Sequence, residues 1–340
     1  MLAGEKQVDS HQIAIDAPAR LHLGFIDLHG GRGRRFGSVG VAIDGIGARL
    51  RARAAATGEG TTVAGPDGAS IADVVSRFQR ALGFGTSVHI NVLDTIPKHV
   101  GLGSGTQAAL ATGVAVSELL QLGLAPRQIA TLLDRGARSG IGLGVFEHGG
   151  FVVDGGRAER SETPPPVVSR VPFPEAWRVV LIFDRRGRGI HGQQEIDAFK
   201  ALPPFPEAHA CQLARLVLMQ LLPGLVEQHI DEFGAALAEL QDRVGDHFAP
   251  AQGGRFASER VARCLASLRA AGIAASGQSS WGPTGFAIVA GAREADELIE
   301  RAARELPDDC RRELQFKVVA GRNRGAIREF EPGEFEPDRT

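Results

Sequence analysis

The 340-residue chain has no tyrosine, only two tryptophans, two methionines and three cysteines, and its charges nearly cancel at a formal −2. Each scarcity excludes something. Cys211, Cys264 and Cys310 are isolated and lack metal-site spacing, so they are read as buried thiols in a reducing compartment. Balanced charge points to neither nucleic acid nor a membrane surface. No apolar run reaches the roughly 18 residues of a bilayer span. The leading MLAGEKQVDSHQ lacks the apolar h-region of a secretory signal. A cytoplasmic protein without nucleic-acid or membrane partners is expected. Lysine is scarce beside arginine, a bias from which no function follows.

What is present is glycine, 44 residues of it, concentrated in a few short stretches. A chain of this length can bury a large core and is expected to form two lobes. Alternating β-branched patterns place strands at 12–17, 20–26, 38–43, 48–54 and 86–94, with a helix at 69–82. Helices at 104–122 and 126–138 follow, and 161–174 (SETPPPVVSRVPFP) breaks all periodicity, so the first lobe is drawn as 1–165. A strand at 178–184, helices between about 207 and 271, and strands near 286–290 and 314–319 around a helix at 293–305 make a second lobe, 166–328. The acidic, Pro-rich 329–340 is expected to be disordered.

IPKHVGLGSGTQAALATGVAV (96–116) carries the sharpest signal. Ser104 and Gln107 fit a capping box that starts a helix at Ser104. A helix start offers unpaired N–H groups and positive dipole, and glycines at 101, 103 and 105 let an anion approach the backbone. An ordinary capped helix behind a flexible loop is the plainer alternative. Thr106 and Gln107 stand where a P-loop needs Lys-Ser/Thr, which excludes that motif. GSGTQA matches a dinucleotide fingerprint, but it does not directly follow its strand and no acid stands about 20 residues on.

Four more stretches stand out. PARLHLGFIDLHG (18–30) places His22, Asp27 and His29 around an apolar strand, and the following GGRGRRFGS (30–38) reads equally as an anion loop or a solvated hairpin turn. RSGIGLGVFEHGG (138–150) is read as a glycine-rich connection carrying Arg138, Glu147 and His148; on a strand, the last two would point to opposite faces. DRRGRGIHGQQE (184–195) puts His191 and Glu195 one helical turn apart. GQSSWGPTGF (277–286), with glycines at both ends and a rigid Trp-Gly-Pro, reads as a binding loop.

Together these stretches resemble the GHMP kinases (galactokinase, homoserine, mevalonate and phosphomevalonate kinases). PKHVGLGSGTQAALA is similar to their second motif, GQSSWGPTGF occupies the place of the third and PARLHLGFIDL that of the first. Within that superfamily RLHLGFIDL, GLGSGTQAALA, RSGIG, FEHGGFVVDGG and GQSSWGPTGF resemble the β-ribofuranosylaminobenzene 5′-phosphate synthases of methanopterin biosynthesis. The resemblance runs from about Ala17 to Val289, with five motifs in order.

It implies an α+β fold of two lobes, a ribosomal protein S5-like N-terminal lobe and a ferredoxin-like C-terminal lobe. It implies condensation of phosphoribosyl pyrophosphate with 4-aminobenzoate or 4-hydroxybenzoate, releasing CO2 and pyrophosphate. Gly101, Gly103, Ser104, Gly105, Thr106 and Gln107 would then cradle phosphates. By residue type, Arg20, His22, Gln278, Ser279, Ser280 and Trp281 are expected to bind substrate, with Trp281 as a ring-stacking wall and Arg20 or Arg138 on the benzoate carboxylate. Asp27, Glu147 and Arg138 are expected to be catalytic, with Mg²⁺ held by Asp27 or Glu147. A homodimer is expected from base rate.

Many GHMP kinases carry an aspartate in S-G-x-D as base toward the acceptor hydroxyl; here the stretch is SGIG, with Gly142 in that place. An ATP-dependent small-molecule kinase is the alternative, with Glu147 as a substitute base. A non-catalytic nucleotide-binding module fits less well, because all three loops keep polar residues.

Overall fold

The computed structural model describes residues 11–332 apart from 84, 86, 188 and 190–192, with backbone only at 11, 193–196 and 331–332. Two long strands, β1 (His11–Asp27) and β2 (Arg34–Ala54), form an antiparallel hairpin. The four short strands expected here are its halves. The break in pattern is a bulge: Pro18 pairs with Gly47 and Ala19 with Ile43, so residues 44–46 loop out of register.

β3 (Thr62–Ala64), α1 (Gly68–Leu82) and β4 (Val88–Asp94) follow, with β4 on the second half of β2. Then come α2 (Ser104–Leu119), α3 (Pro126–Leu132), α4 (Ile141–His148) and β5 (Phe151–Asp154). β5 pairs with the first half of β2, which also carries the two-residue β6 (Arg157–Ala158). α2 is buried at nearly every position from Gln107 to Ser117. A helix enclosed on all sides must be lined by small residues, which explains its alanines and glycine.

The stretch 141–148, read as a glycine-rich connection, is instead the helix α4. Its glycines are packing surfaces: a Cβ at Gly142 would lie 2.8 Å from Thr106 Cγ2, and one at Gly144 2.7 Å from Val152 Cγ1. Glycine's low helix propensity hid the element, and burial overrode it.

The lobe boundary at 165/166 also moves. β7 (Val167–Val171) pairs with β5 inside the first sheet. The second sheet begins with β8 (Arg178–Asp184). The chain then adds α5 (Gln193–Ala201), α6 (Glu207–Leu216), a π turn at Val217–Leu221, α7 (Leu222–Val226), α8 (Ile230–Gln252) and α9 (Glu259–Ala270). β9 (Ser276–Gln278), β10 (Gly285–Val289), α10 (Ala292–Glu305), α11 (Asp308–Glu313) and β11 (Leu314–Ala320) complete an antiparallel sheet of order β11-β8-β10-β9.

The unbroken apolar run of β8 is explained by two cores. Val180 and Ile182 pack with Leu265 and Leu298 under α9 and α10, while Val179 and Leu181 face the large core shared with Phe233 and Leu237 of α8. α8 lies directly on β1, with Leu240 against Gly24, where glycine's positive φ and missing Cβ allow the approach.

Of the cysteines, Cys264 and Cys310 are buried as expected, with burial pushing the Cys264 thiol up to about 12. Cys211 is exposed, on the outer face of α6. Glu207–Val226 has the length and mean hydropathy of a membrane-crossing helix, but Leu213, Val217, Leu221 and Leu225 sit in the protein core.

The acidic tail is partly ordered too. β12 (Ile327–Pro332) returns to the first sheet and pairs with β1, so 329–332 is strand, and 333–340 lies outside the described residues. Arg322 anchors this return. It is buried, and its guanidinium donates to Asp16 Oδ1 (3.0 Å), Asp16 O (3.0 Å) and Gly325 O (3.1 Å). Arg322→Met keeps the stem and strands these acceptors, so it is expected to destabilise the fold by about 2–4 kcal/mol. Urea unfolding reads this directly, and a midpoint equal to wild type would mean that Arg322 is not the anchor.

Candidate functional site

Gly101 and Gly103 both adopt φ near +83°, the left-handed region, and carry the chain from β4 into α2. A Cβ at Gly101 would collide with Ser279 O, and one at Gly103 would lie 2.7 Å from Arg20 Cγ. Gly103 itself caps α2, without a side-chain hydrogen bond. The expected capping box is therefore absent: α2 starts at Ser104, but Gln107 is buried and donates from Nε2 to Gly142 O at 2.7 Å. The side chain is captured by the neighbouring helix. Left open at the start of α2 are N–H groups with no intrahelical acceptor.

These groups border a cavity of about 790 Å³ that also receives Arg20, Lys98, Arg135 and Trp281. Arg20 braces its rim, with Nη1 donating to Gly101 O at 2.8 Å and its backbone N–H to Leu102 O at 3.1 Å. Lys98 pairs with Asp67 at 2.7 Å. Arg135 comes from the turn after α3; burial and the Arg77 charge hold its pKa below the usual guanidinium value, and its Nε is buried without a partner.

The second lobe contributes the loop 278–282. Ser279 Oγ donates to Gly101 O at 2.8 Å and accepts from His22 N at 3.1 Å, and Ser280 N donates to His22 O at 3.3 Å. This seam has no room for side chains: a Cβ at Gly282 would strike Val100 O. Ser280, at φ 56°, turns the loop so that Trp281 borders the cavity.

Behind Trp281 lies a row of rings. Phe248 is 4.4 Å and Phe199 5.4 Å from it, centroid to centroid, and Phe25 and Phe36 extend the row. His22 joins it at 4.8 Å from Phe25. It is 2 % exposed, and neither ring nitrogen has a partner among the described residues. Burial, and then the Arg20 charge, push its pKa well below the ordinary value, so the imidazole is neutral. With Trp281, whose Nε1 is also unpartnered, and Gln278, it lines a small space of about 30 Å³.

A third polar group sits at the start of α4. Asp154 is fully buried, accepting from Ser38 Oγ, Gly140 N (2.9 Å), Gly156 N (2.9 Å) and Ser139 Oγ (3.3 Å). Burial raises its pKa, and these hydrogen bonds act against the rise. The network anchors the turn that presents Arg138, whose guanidinium stacks on Phe199 at 5.0 Å.

The expected site residues thus divide. Arg20, Gly101, Gly103, Ser104, Gly105, Thr106, Ser280 and Trp281 share the large cavity; His22 and Gln278 lie behind it. Ser279 is a buried clamp between lobes, and Gln278 is spent on Ala257 N and Ser280 O. Gln107 faces α4 and does not reach the cavity lining.

Asp27 stands at the end of β1, its Oδ1 accepting the N–H groups of His29 and Gly30, outside the large cavity. Glu147 lies in the last turn of α4 with its backbone beside Gly325, also outside it. In the basic loop, Arg34 holds Gly155 O and Gly156 O at 2.7 Å. His191 and the Glu195 side chain lie outside the described residues. Arg135, Lys98, Asp154 and the ring row were missed, because nothing local in the sequence marks residues assembled from distant segments.

The GHMP kinases N terminal domain matches residues 69–150 and the GHMP kinases C terminal domain residues 221–308. The chain is 34 % identical over 324 residues to the beta-ribofuranosylphenol 5'-phosphate synthase of Archaeoglobus fulgidus, covering 92 % of this chain and 98 % of that protein. It is 31 % identical over 339 residues to the enzyme of the same name from Methanothermobacter thermautotrophicus, covering 93 % and 98 %. Among solved structures, homoserine kinase from Cytophaga hutchinsonii superposes with TM-score 0.67 at 19 % identity, over 97 % of this chain and 100 % of that one. Mevalonate diphosphate decarboxylase from Staphylococcus aureus gives 0.65 at 12 % identity, over 94 % and 98 %; these two show a shared fold.

The buried His22 has a measurable signature. An unfolded imidazole takes a proton near 6.5, whereas the folded one does so only well below. Between those values the unfolded state binds more protons, so stability falls as pH drops below about 6.5. His22→Phe keeps a ring and removes both orphaned nitrogens. It is expected to leave stability near pH 8 unchanged or slightly higher and to make the acid decline shallower. Parallel declines in denaturant titrations of the two proteins would show that His22 is not held neutral.

Proposed function

The chain belongs to the beta-ribofuranosylphenol 5'-phosphate synthase family, built on the GHMP kinase fold, and we propose that it joins phosphoribosyl pyrophosphate to 4-hydroxybenzoate with loss of CO2 and pyrophosphate, in methanopterin biosynthesis. The observation that carries this reading is the open helix start of α2, flanked by Arg20 and Arg135 in one cavity. The relatives' name, a phenol, favours a hydroxyl over an amino group para to the new bond.

The chemistry follows from where charge develops. As the C1′–O bond of the donor breaks, the electron pair leaves with pyrophosphate and the ribose carbon becomes cationic. The N–H groups at Ser104 and Gly105, the α2 dipole and the two arginines stabilise the departing anion. The ring carbon bearing the carboxylate, activated by the para oxygen, then forms the C1′–C bond. Its bond to the carboxylate breaks, CO2 departs, and the electron pair restores aromaticity. No enzyme nucleophile is required. The neutral His22 and the Trp281 N–H, both unpartnered, suit a hydroxyl, which can donate to one and accept from the other.

Magnesium belongs to the proposal. The seat offers hard donors that fit it beside phosphate oxygens: the Ser104 and Thr106 hydroxyls and the Asp73 carboxylate. Bound there, the ion would neutralise charge on the leaving pyrophosphate. Asp27, the expected ligand, is committed to backbone N–H groups at the end of β1. A cytoplasmic homodimer is part of the same reading.

A kinase would place a carboxylate at Gly142 to receive the acceptor proton. There, a Cβ would already lie 2.8 Å from Thr106 Cγ2, so the site favours the synthase. With ring-carboxyl-labelled 4-hydroxybenzoate and phosphoribosyl pyrophosphate, labelled CO2 and pyrophosphate are expected in equal amounts, with no ADP from ATP and candidate alcohols. Acceptor-dependent ADP without labelled CO2 would overturn the reading in favour of a kinase.

Gly105 tests the seat separately. It is exposed to the cavity, and a Cβ there meets only Arg135 Nη1 at 3.6 Å. Gly105→Val is therefore expected to change stability by about 1 kcal/mol or less, while its branches fill the anion position and weaken donor binding by about a hundredfold or more. Normal binding of phosphoribosyl pyrophosphate to the valine protein would sink the phosphate seat.

A further inference from the structure

A second cavity, about 510 Å³, opens between the turn joining β1 to β2 and the connection joining α5 to α6. Among the described residues, the titratable side chains lining it are His29, Arg35, Arg138 and Lys200, with no carboxylate beside them. Its walls are Phe36, Phe199 and Phe205. Stacking fixes the guanidinium planes: Arg138 lies over Phe199 at 5.0 Å and Arg35 over Phe36 at 5.5 Å. Lys200 is exposed and has no hydrogen-bond or ion-pair partner among the described residues.

The positive field is felt by its neighbours. His247 stacks edge-on against Phe205 at 4.9 Å, and burial, then the Arg35 charge, hold its pKa below the ordinary value. The nearby acids Asp27, whose Oδ1 accepts the turn's N–H groups, and Asp197, one turn before Lys200 on α5, do not line the cavity.

The linings of this cavity and of the phosphate seat touch at one pair of rings. Phe199 lines the cationic cavity, Trp281 lines the seat, and their centroids are 5.4 Å apart. Two anion-attracting cavities on either side of one ring pair suit a substrate carrying phosphate at both ends. The acceptor's carboxylate is the competing anion. It must leave as CO2, and firm pairing with several cations would stabilise it against that loss. A sugar 5′-phosphate keeps its charge from binding to release, so the same cations hold donor and product alike.

Resting on the synthase reading, we propose that the cavity formed by Arg35, Arg138, Lys200 and His29 binds the 5′-phosphate of the ribosyl donor, while the α2 start takes the pyrophosphate. The phenylalanine walls exclude water around the pentose.

Ribose 5-phosphate probes this cavity without turnover. In calorimetric titrations, Lys200→Met and Arg35→Met are each expected to weaken its binding about tenfold. Inorganic pyrophosphate affinity should be unchanged, and KM for phosphoribosyl pyrophosphate should rise by a similar factor with little change in kcat. Arg35 also donates to Leu28 O at 2.9 Å, so Lys200→Met, a change at an exposed helix position, decides the matter if the Arg35 variant is unstable. Unaltered ribose 5-phosphate binding in Lys200→Met overturns the assignment, as does selective loss of 4-hydroxybenzoate binding. Active synthase with unaltered ribose 5-phosphate binding removes the cavity's role alone. Lysine-dependent ribose 5-phosphate binding without CO2 release upholds the cavity and removes the synthase reading.

Discussion

The site depends on one backbone contact. Gly101 and Gly282, from different lobes, approach so closely that a methyl group on either would strike the other loop's main chain. Ser279 makes the contact specific, by bonding Gly101 O and the His22 N–H through one hydroxyl. The lining of the candidate site hangs from that seam. Arg20 reaches Gly101 O because β1 passes beneath it, Trp281 borders the seat because Ser280 turns the loop there, and the ring row follows Trp281 toward the second cavity. The glycines of the second and third motifs are thus requirements of close approach as much as of phosphate access.

The electrostatics around the seam are uneven in a useful way. Cations gather where anions are proposed to arrive, on both sides of the Phe199–Trp281 pair. The buried titratable groups are handled locally: Asp154 is enclosed by four hydrogen-bond donors and His22 is kept uncharged. Such arrangements suit the proposed reaction, in which charge leaves with pyrophosphate, a C–O and a C–C bond break and no proton need be transferred to a base.

Part of the candidate site's assembly was legible because its motifs are local. The 101–106 loop, Arg20, Ser280 and Trp281 meet in one cavity as their glycine-rich surroundings implied. Gln107 failed because a cap was inferred from spacing while the side chain had a buried partner on α4. The run of glycines before Glu147 read as a connection; it is a helix, whose last turn sets that residue beside Gly325 and outside the cavity. Asp27 is in the expected motif yet spends its carboxylate on its own turn, a choice that depends on the φ values of Gly30 and Gly33 and not on residue type.

The sequence by itself determined the two-lobe α+β organisation, the main strands and helices and the glycine-rich loop at the start of α2, since period, glycine spacing and motif order act over short range. Only the tertiary structure decided that the tail returns as β12, that β7 belongs to the first sheet, that Arg135 joins the start of α2, and that Lys200 joins the phenylalanine row. Those outcomes depend on which distant surfaces bury each other. That is set by the packing of α8 on β1 and of loop 278–282 on the α2 start, and no local pattern encodes it.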